Sequence, residues 1–238
     1  MKTEPRYWDV TLKAVDDFGN ETRQFDLAFA PGLAMAFIPG QFVAVLCPKE
    51  GKIIRRAYSI ASAPEEGRHL ELIIKRVEGG AVTAWFWGLK AGAAFRVHGP
   101  FGKFVLPEPI DFDLVFVATG TGIAPFRSMI RHLLAVGFQR RITLLFGARY
   151  ETMIPYQAEW LDLAARHPQF TYIPTLSRPT AAWKGETGYV QTKIEQFVSN
   201  PAGRRIYICG LNEMIQAVQE AAIRQGFPEE HITFEKYD

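Results

Sequence analysis

Residues 55–62 bring together side-chain types that ligand sites use. This segment, RRAYSIAS, alternates like a half-buried β-strand, yet it carries Arg56, Tyr58 and Ser59 in close succession. A cation, an aromatic ring and a hydroxyl in one short stretch indicate a bound ligand. The alternative is purely structural, with Arg56 solvated and Tyr58 in the core, and the segment by itself leaves both interpretations open.

A second candidate site is the glycine-rich segment VFVATGTGIAPFRSM, residues 115–129, which follows a strand-like run and opens an amphipathic stretch. Gly120 and Gly122 fall at the turn, and Pro125 suits the first helical turn. Small residues there let backbone N–H groups and the positive end of a helix approach a phosphate. Pro125 stands where the dehydrogenase fingerprint GxGxxG would have its third glycine, and a purely structural turn is the alternative. The strand before and the helix after favour a pyrophosphate site.

A third candidate site is TLSRPTAAWKGETGYVQ, residues 175–191, which follows another strand-like run. Ser177 and Arg178 supply a hydroxyl and a fork of N–H donors that suit a phosphate monoester, and Tyr189 can stack on an adenine. An arginine suits the 2′-phosphate of NADP, whereas a site for NAD more usually has an acidic residue near the ribose. A solvated arginine in a turn is the alternative.

Three further residues of chemical interest lie in the last thirty positions. Cys209 lies at the end of the fourth strand-like run of the second half, and Glu235 and Tyr237 lie just past the last run. A nucleophilic cysteine needs a nearby base, and no histidine stands in a familiar arrangement with Cys209, so we interpret its side chain as a small apolar group. The aromatic and acidic end is either a frayed tail or a cover over the site.

The first half of the chain predicts an antiparallel fold. From Tyr7 to about Leu106, short alternating segments are broken by Gly and Pro, and the one predicted helix falls at residues 81–92. Short strands at regular spacing with turn residues between them are typical of an antiparallel β-barrel or sandwich.

The second half predicts a parallel sheet. From Phe112 onward, five compact apolar runs alternate with amphipathic stretches, which indicates an open, parallel five-stranded α/β sheet with helices on both faces. Such a sheet binds ligands beyond the carboxyl ends of its strands. Prolines in residues 106–113 interrupt both patterns, so we predict a barrel domain at residues 1–108 and an α/β domain at residues 109–238.

Composition excludes several classes of protein. The 238 residues are 48% hydrophobic and 22% charged, and 27 basic against 25 acidic residues leave a net charge of +2, so neither disorder nor a nucleic-acid partner is expected. Two cysteines without CxxC spacing exclude a four-thiolate iron–sulfur cluster within this chain, and no metal site is predicted. No run of about 18 apolar residues and no leader pattern occurs, so we expect a cytoplasmic protein without membrane contact. We further expect a monomer.

Taken in order, the motifs resemble those of the ferredoxin–NADP reductase family, and more closely its plant-type branch. RAYS at residues 56–59 is similar to the family's Arg-x-Tyr-Ser flavin signature, and residues 73–83, IIKRV followed by GGAVT, are similar to its second flavin segment. Residues 120–128 resemble its pyrophosphate loop, residues 176–191 its 2′-phosphate loop, and residues 207–214 its Cys-Gly segment beside the nicotinamide. Each motif is weak alone, but together and in order they are specific.

The resemblance implies FAD in the barrel domain and NADP in the α/β domain, with NAD as the alternative nucleotide. It implies that Arg56 engages the flavin pyrophosphate, that Tyr58 stacks on the isoalloxazine and that Ser59 lies beside flavin N5. The implied FAD-binding residues are Arg56, Ala57, Tyr58, Ser59, Ile73, Ile74, Lys75, Ala81, Val82, Thr83 and Tyr237. The implied nucleotide-binding residues are Gly120, Thr121, Gly122, Ser177, Arg178 and Tyr189, and the implied catalytic residues are Ser59, Cys209, Glu235 and Tyr237.

The chain departs from the family at one position of the 2′-phosphate loop. Thr187 stands where the family usually has a second Lys or Arg, two residues before Tyr189. Lys184 is a candidate substitute, and NADP remains the favoured nucleotide.

The activity that the resemblance implies is hydride transfer between NAD(P)H and FAD, followed by single-electron exchange with a ferredoxin or flavodoxin. Ser59 and Glu235 would carry the N5 proton, and Cys209 would position the nicotinamide without covalent chemistry. One alternative is an NAD(P)H:flavin reductase or the reductase component of an oxygenase. An alternative of another class is a non-catalytic electron-transfer subunit.

Overall fold

The computed structural model describes residues 4–198 and 200–237, and the chain divides into two compact units. The first unit consists of residues up to Leu106 together with Ala124–His132. The second consists of Pro107–Ile123 and of residues from Leu133 onward. The segment Ala124–His132 therefore belongs by its contacts to the first unit, although the chain on both sides of it belongs to the second.

The first unit is an antiparallel barrel, as the alternation of the sequence predicts. Its six strands follow the spatial order β4-β3-β6-β1-β2-β5, and helix α1, Ala81–Gly88, lies between β5 and β6 in the chain. The strands are β1 (Arg6–Phe18), β2 (Thr22–Phe29), β3 (Phe42–Lys49), β4 (Lys52–Ser59), β5 (His69–Lys75) and β6 (Ala94–Phe101).

The two end strands of this order meet and close the barrel. Ile60, just past β4, bridges to Leu72 of β5, and the Ala61 N–H donates to the carbonyl oxygen of Glu71 at 2.9 Å. Closure leaves neither end strand with a free edge at this point.

Alternation along the strands fills the barrel interior. Val10 and Leu12 of β1 and Phe25 and Leu27 of β2 are all buried, because every second side chain of a strand points to the same face. Phe86 of α1 is fully buried and packs against Phe25, with ring centroids 4.8 Å apart, so the helix covers the core.

The second unit is a parallel sheet with helices, also as predicted, and its strands follow the order β10-β9-β8-β7-β11-β12. The strands are β7 (Asp113–Thr119), β8 (Ile142–Ala148), β9 (Phe170–Leu176), β10 (Glu186–Thr187), β11 (Arg204–Gly210) and β12 (Ile232–Lys236). The helices are α2 (Ile123–Ala135), α3 (Gln157–Arg166), α4 (Thr192–Phe197) and α5 (Asn212–Arg224). The sheet thus has a sixth strand, β10, which is too short to produce a periodic pattern in the sequence.

The strand order reverses at β7. The chain runs outward from β7 through β8, β9 and β10 on one side, then crosses to β11 and β12 on the other. Residues Leu114–Ala118 of β7 are buried without interruption, as expected for a central strand covered on both faces. The carboxyl ends of β7 and β11 therefore lie side by side at a topological switch point, where open α/β sheets bind ligands.

The helices of the two units are short compared with a membrane-spanning helix. Among residues 4–198 and 200–237, no helix has the length and apolar character needed to cross a bilayer.

A turn before β3 supports the end of β4. The Gln41 carbonyl accepts the Ile60 N–H at 3.0 Å, and Gly40 beside it has φ +98°. A Cβ on Gly40 would lie 2.0 Å from the carbonyl oxygen of Phe104 and 2.5 Å from Cε of Met129. Only glycine fits there.

We expect Gly40→Ala to lower the free energy of unfolding by about 3 kcal/mol, because backbone strain and overlap with Phe104 act together. Gly32→Ala is the matched control: its φ is +81°, but a Cβ there meets nothing within 4 Å. Strain alone predicts a loss of about 1 kcal/mol at Gly32. Denaturant unfolding measures both, and equal losses would contradict the close approach at Gly40.

Candidate functional site

The two flavin motifs of the sequence lie side by side where the barrel closes. The bridge between Ile60 and Leu72 brings the end of β4, which carries RAYS, beside residues 73–75 at the end of β5. Residues separated by some fifteen positions in the chain thus form one continuous surface.

The RAYS side chains grade from exposed to buried along β4. Arg56 and Ala57 are exposed, Tyr58 is half-buried and Ser59 is 6% exposed. The Tyr58 ring packs edge-on against Phe86 of α1, with centroids 5.5 Å apart and an interplanar angle of 85°. Burial raises the pKa of Tyr58 to about 12, against the opposing effect of Arg56, so the phenol stays neutral at physiological pH.

The second flavin segment offers mainly backbone groups. Ile73, Ile74, Val82 and Thr83 are buried, whereas Ala81 is half-buried. The remaining member, Lys75, is exposed and lies 3.5 Å from Glu21.

The first turn of helix α1 offers backbone N–H groups to a ligand. The first N–H groups of a helix have no intrahelical acceptor, and in α1 these belong to Ala81, Val82 and Thr83, after Gly80, which has no capping side chain. The Thr83 hydroxyl shapes the preceding turn: it accepts the Val77 N–H at 3.2 Å and lies 3.1 Å from the Val77 carbonyl oxygen. The amides and the positive end of α1 suit a phosphate.

In the second unit, the glycine-rich loop after β7 packs directly on the end of β11. A Cβ on Gly122 would lie 2.3 Å from the Cys209 carbonyl oxygen, and one on Gly210 would lie 2.7 Å from the Thr119 hydroxyl. These two glycines are therefore required by the packing of the loops against each other. Gly120 differs, since its φ is +56° and open space surrounds its Cα, so a ligand can approach the backbone there. Thr121 between them is half-buried.

Cys209, Glu235 and Tyr237 lie close together beside this loop, at the switch point of the sheet. Glu235 lies within β12, not after it as predicted, and pairs in register with Cys209 of β11. The Tyr237 N–H donates to the Gly210 carbonyl oxygen at 3.0 Å. Burial raises the pKa of the Cys209 thiol well above its usual value, and the Glu235 carboxylate raises it further, while a hydrogen bond with Tyr237 acts in the opposite direction. The thiol is therefore neutral, which disfavours a nucleophilic role.

Ser177, Arg178 and Tyr189 come together at the far side of the sheet. The Gly188 N–H donates to the Leu176 carbonyl oxygen at 2.8 Å, which joins the ends of β9 and β10. Tyr189 is 66% exposed, as a platform for a stacked ring must be.

Arg149 is a residue of this site that the sequence analysis missed. Its carbonyl oxygen accepts the Arg178 N–H at 2.9 Å, so two exposed arginines sit on neighbouring backbone segments. Within residues 4–198 and 200–237, neither has an ion-pair partner. Its signal was available: Arg149 directly follows the apolar run of β8, at the same edge as the predicted sites.

The loop before Tyr189 is braced from both sides. The Trp183 indole N–H donates to the Glu186 carbonyl oxygen at 2.9 Å, and the buried ammonium of Lys193 lies 2.7 Å from the Glu186 carboxylate. Lys184 and Thr187 are exposed on this loop. The bracing fixes the position from which Tyr189 projects.

In the described part of the chain, no group of three or more His, Cys, Asp and Glu side chains could hold a metal ion.

Two family models match the two halves of the chain. Residues 9–106 match the oxidoreductase FAD-binding domain, and residues 116–220 match the oxidoreductase NAD-binding domain. The chain is similar over its full length to ferredoxin–NADP reductase B of Sorangium cellulosum, with 37% identity and 100% of both chains covered.

Relatives from oxygenase systems are similar as well. The reductase component of phenol 2-monooxygenase from Pseudomonas sp. is 36% identical over 85% of this chain, which spans 58% of that protein's length. A solved structure of an Amycolatopsis cytochrome P450 reductase superposes with a TM-score of 0.90 at 30% identity, covering 99% of this chain and 71% of that one.

A FAD-binding barrel followed by an NAD-binding parallel sheet defines an oxidoreductase that works with a flavin and a nicotinamide nucleotide. The chain belongs to the ferredoxin–NADP reductase family, and the resemblance inferred from its motifs is confirmed.

The residues present fit the two cofactors of this family. Where the barrel closes between β4 and β5, the exposed Arg56 guanidinium and the Tyr58 ring match the pyrophosphate and the ring of FAD. The first-turn amides of α1, which have no intrahelical acceptor, also suit the pyrophosphate. In the second unit, the open space at Gly120 suits a nucleotide pyrophosphate.

Both cysteines should resist alkylation in the folded protein. Cys47 is 1% exposed and Cys209 is fully buried, and burial raises the pKa of each thiol, so little thiolate is available even at mildly alkaline pH. We expect iodoacetamide to leave the folded protein unmodified while free cysteine reacts to completion, and to label both residues in denaturant. Mass spectrometry measures this. Fast labelling of Cys209 in the folded state would contradict the neutral, enclosed thiol.

Proposed function

We propose that this protein transfers hydride between NADPH and FAD, and single electrons between FAD and a ferredoxin or flavodoxin. When bound, FAD supplies the conversion between two-electron hydride chemistry and one-electron transfer. The observation that carries the choice of NADPH is the pair of exposed arginines, Arg149 and Arg178, at one edge of the sheet.

The barrel residues would bind and orient the flavin. Arg56 would pair with the pyrophosphate together with the first-turn amides of α1, and Tyr58, held edge-on by Phe86, would provide a stacking face. Ser59, at the buried end of β4, would hold a proton beside flavin N5. The neutral phenol of Tyr58 supports the stacking role of this residue, because it adds no charge beside the flavin ring.

The residues at the switch point would handle the nicotinamide. A neutral Cys209 thiol offers a small, uncharged contact, and Glu235, its register partner, would accept or release a proton beside it. Tyr237 would cover the other face of the flavin and move aside for the nicotinamide, which is a gating step.

The adenosine end would be read by charge. Two guanidinium groups, the Ser177 hydroxyl and the Tyr189 ring suit a 2′-phosphate next to an adenine. Position 187 holds a threonine where the family usually has a second basic residue, and Arg149 would supply that missing positive charge.

Anaerobic reduction of the flavin tests this function. We expect NADPH to bleach the visible band of the purified protein quickly and NADH to bleach it slowly. Arg178→Met should raise the KM for NADPH by about tenfold to about a hundredfold, since a charged hydrogen bond to phosphate is lost, and leave the KM for NADH unchanged.

Arg166→Met is the control, because Arg166 is an exposed arginine of the same unit that pairs with Asp162 on α3. A colourless protein that binds no added FAD would refute the proposal. An equal effect of Arg178→Met on both nucleotides would refute the 2′-phosphate assignment alone.

The outer face of the barrel carries a basic patch suited to an acidic electron carrier. Tyr7 of β1 stacks on His98 of β6 with ring centroids 4.1 Å apart, and an Arg55 Nη2 donates to the Tyr7 hydroxyl at 3.1 Å. The Arg96 guanidinium lies 5.8 Å from the Tyr7 ring, and Asp9, opposite Arg96 in the strand register, offsets part of the charge. We define Tyr7, Arg55, Arg96 and His98 as the basic patch, and charge complementarity supports an acidic partner there.

Reversing the charge of the basic patch should slow the reduction of the carrier. We expect the double variant Arg55→Glu, Arg96→Glu to lower the second-order rate constant for an acidic ferredoxin by at least about tenfold at low ionic strength, and less at high salt. Reduction of 1,4-benzoquinone, a small uncharged acceptor, should be unchanged. Lys13→Glu, an exposed barrel residue outside the patch, is the control.

If purified ferredoxin is reduced no faster with the protein and NADPH than without it, the ferredoxin assignment is wrong.

A second function is that of the reductase of an oxygenase. It is favoured by the identities of 36% and 34% to the reductases of phenol 2-monooxygenase and of an aromatic O-demethylase. Faster reduction of an oxygenase component than of ferredoxin or flavodoxin would select it.

A further inference from the structure

The three residues after Ser59 are held by a set of hydrogen bonds to one strand and one turn. The Ile60 N–H donates to the Gln41 carbonyl oxygen at 3.0 Å, and the Ala61 N–H donates to the Glu71 carbonyl oxygen at 2.9 Å. The Glu71 N–H in turn donates to the Ser62 hydroxyl at 3.2 Å. The backbone of Glu71 therefore makes hydrogen bonds on both sides of the Ala61 carbonyl, to the Ala61 N–H and to the Ser62 hydroxyl.

That carbonyl is bound by a buried arginine from helix α2. Nη1 of Arg127 donates to the Ala61 carbonyl oxygen at 3.0 Å and also pairs with the Glu71 carboxylate. The Arg127 side chain is 7% exposed and that of Glu71 is 16% exposed, so this charge pair is shielded from water. The same carboxylate accepts a hydrogen bond from Gln24 at 3.2 Å.

A single guanidinium thus ties the chain leaving β4 to β5 at the point where the barrel closes. A buried cation needs a fixed partner, because an unpaired charge away from water is costly. The pair therefore resists any shift of Ala61 relative to Glu71. Ser59 lies two residues before Ala61 and is itself buried, so its position depends on where Ala61 is held.

We propose that Arg127 is a positioning residue, which sets the placement of Ser59 at the flavin ring by fixing the carbonyl of Ala61. The proposal rests on the function proposed above, in which Ser59 lies beside flavin N5. It assigns Arg127 no contact with either cofactor. An arginine is required because one nitrogen must direct two N–H groups, one to a carbonyl and one to a carboxylate, and a lysine ammonium is a less directed donor.

The test compares Arg127→Met and Arg127→Lys with the unsubstituted holoenzyme. We expect Arg127→Met to lower the anaerobic rate constant of flavin reduction by about tenfold to about a hundredfold, since small displacements of a reacting group reduce rates by such factors. The KM for NADPH should change by less than about twofold, because nucleotide-binding groups are untouched. Arg127→Lys should recover part of the lost rate.

Two readouts do not depend on turnover. The visible circular dichroism of the bound flavin should change in Arg127→Met, because the surroundings of the ring are displaced. In the protein stripped of FAD, hydrogen exchange of the amides in residues 59–62 should accelerate, because the carbonyl clamp is lost.

Arg131→Met is the matched control. Arg131 lies one turn further along the same helix, pairs with Glu66 and lies 3.8 Å from the Glu71 carboxylate. We expect its loss to leave the flavin spectrum and the reduction rate unchanged. If Arg127→Met does not fold, Arg127→Lys and Glu71→Gln provide the same comparison.

The outcomes separate the two proposals. If the unsubstituted protein binds no FAD, the proposed function fails and the positioning role fails with it. If the unsubstituted protein is reduced by NADPH, and Arg127→Met matches it in rate, flavin spectrum and hydrogen exchange, the positioning role alone is overturned.

Discussion

Barrel closure between β4 and β5 is the constraint on which the flavin half of the site depends. The bridge from Ile60 to Leu72 and the hydrogen bond from Ala61 to Glu71 join strands at opposite ends of the sheet order. Without closure, the RAYS motif and the residues at the end of β5 would lie on separate edges. With closure, they form a surface that includes a cation, an aromatic ring and backbone groups, and α1 adds its first-turn amides. The chemistry of the barrel is thus a consequence of its topology.

The second unit solves a comparable problem by close packing of glycines. The loop after β7 and the end of β11 can touch only because Gly122 and Gly210 have no side chains. Their contact brings Cys209 beside the glycine-rich loop, and the register between β11 and β12 brings Glu235 beside Cys209. The glycines that a motif search associates with phosphate therefore divide into two kinds. Gly120 leaves room for a ligand, whereas Gly122 leaves room for the protein's own backbone.

Periodicity made the fold predictable, but it could not reveal contacts between distant residues. Alternation of apolar residues predicted the antiparallel strands of the first half, and compact apolar runs predicted five strands of the parallel sheet, because burial on one or two faces leaves a regular pattern. The two-residue β10 is too short to leave any pattern. Arg149 was overlooked because an arginine after a strand is common and gains meaning only when Arg178 is seen on the neighbouring segment. The link from Arg127 to Glu71 spans 56 positions and has no local signature. The roles of individual site residues stay predictions.

The interleaving of the two units along the chain limits how this protein can be taken apart. Residues 124–132 contact the barrel unit: the Phe126 ring packs on Phe104, with centroids 5.8 Å apart, and Arg127 completes the Glu71 pair. A fragment cut at Leu106 would expose that wall of the barrel and leave a half-buried carboxylate without its cation. Modular exchange by recombination would meet the same obstacle. A nucleotide-binding half imported from another protein must bring a helix that matches the recipient barrel, so the two halves are expected to be inherited as one block.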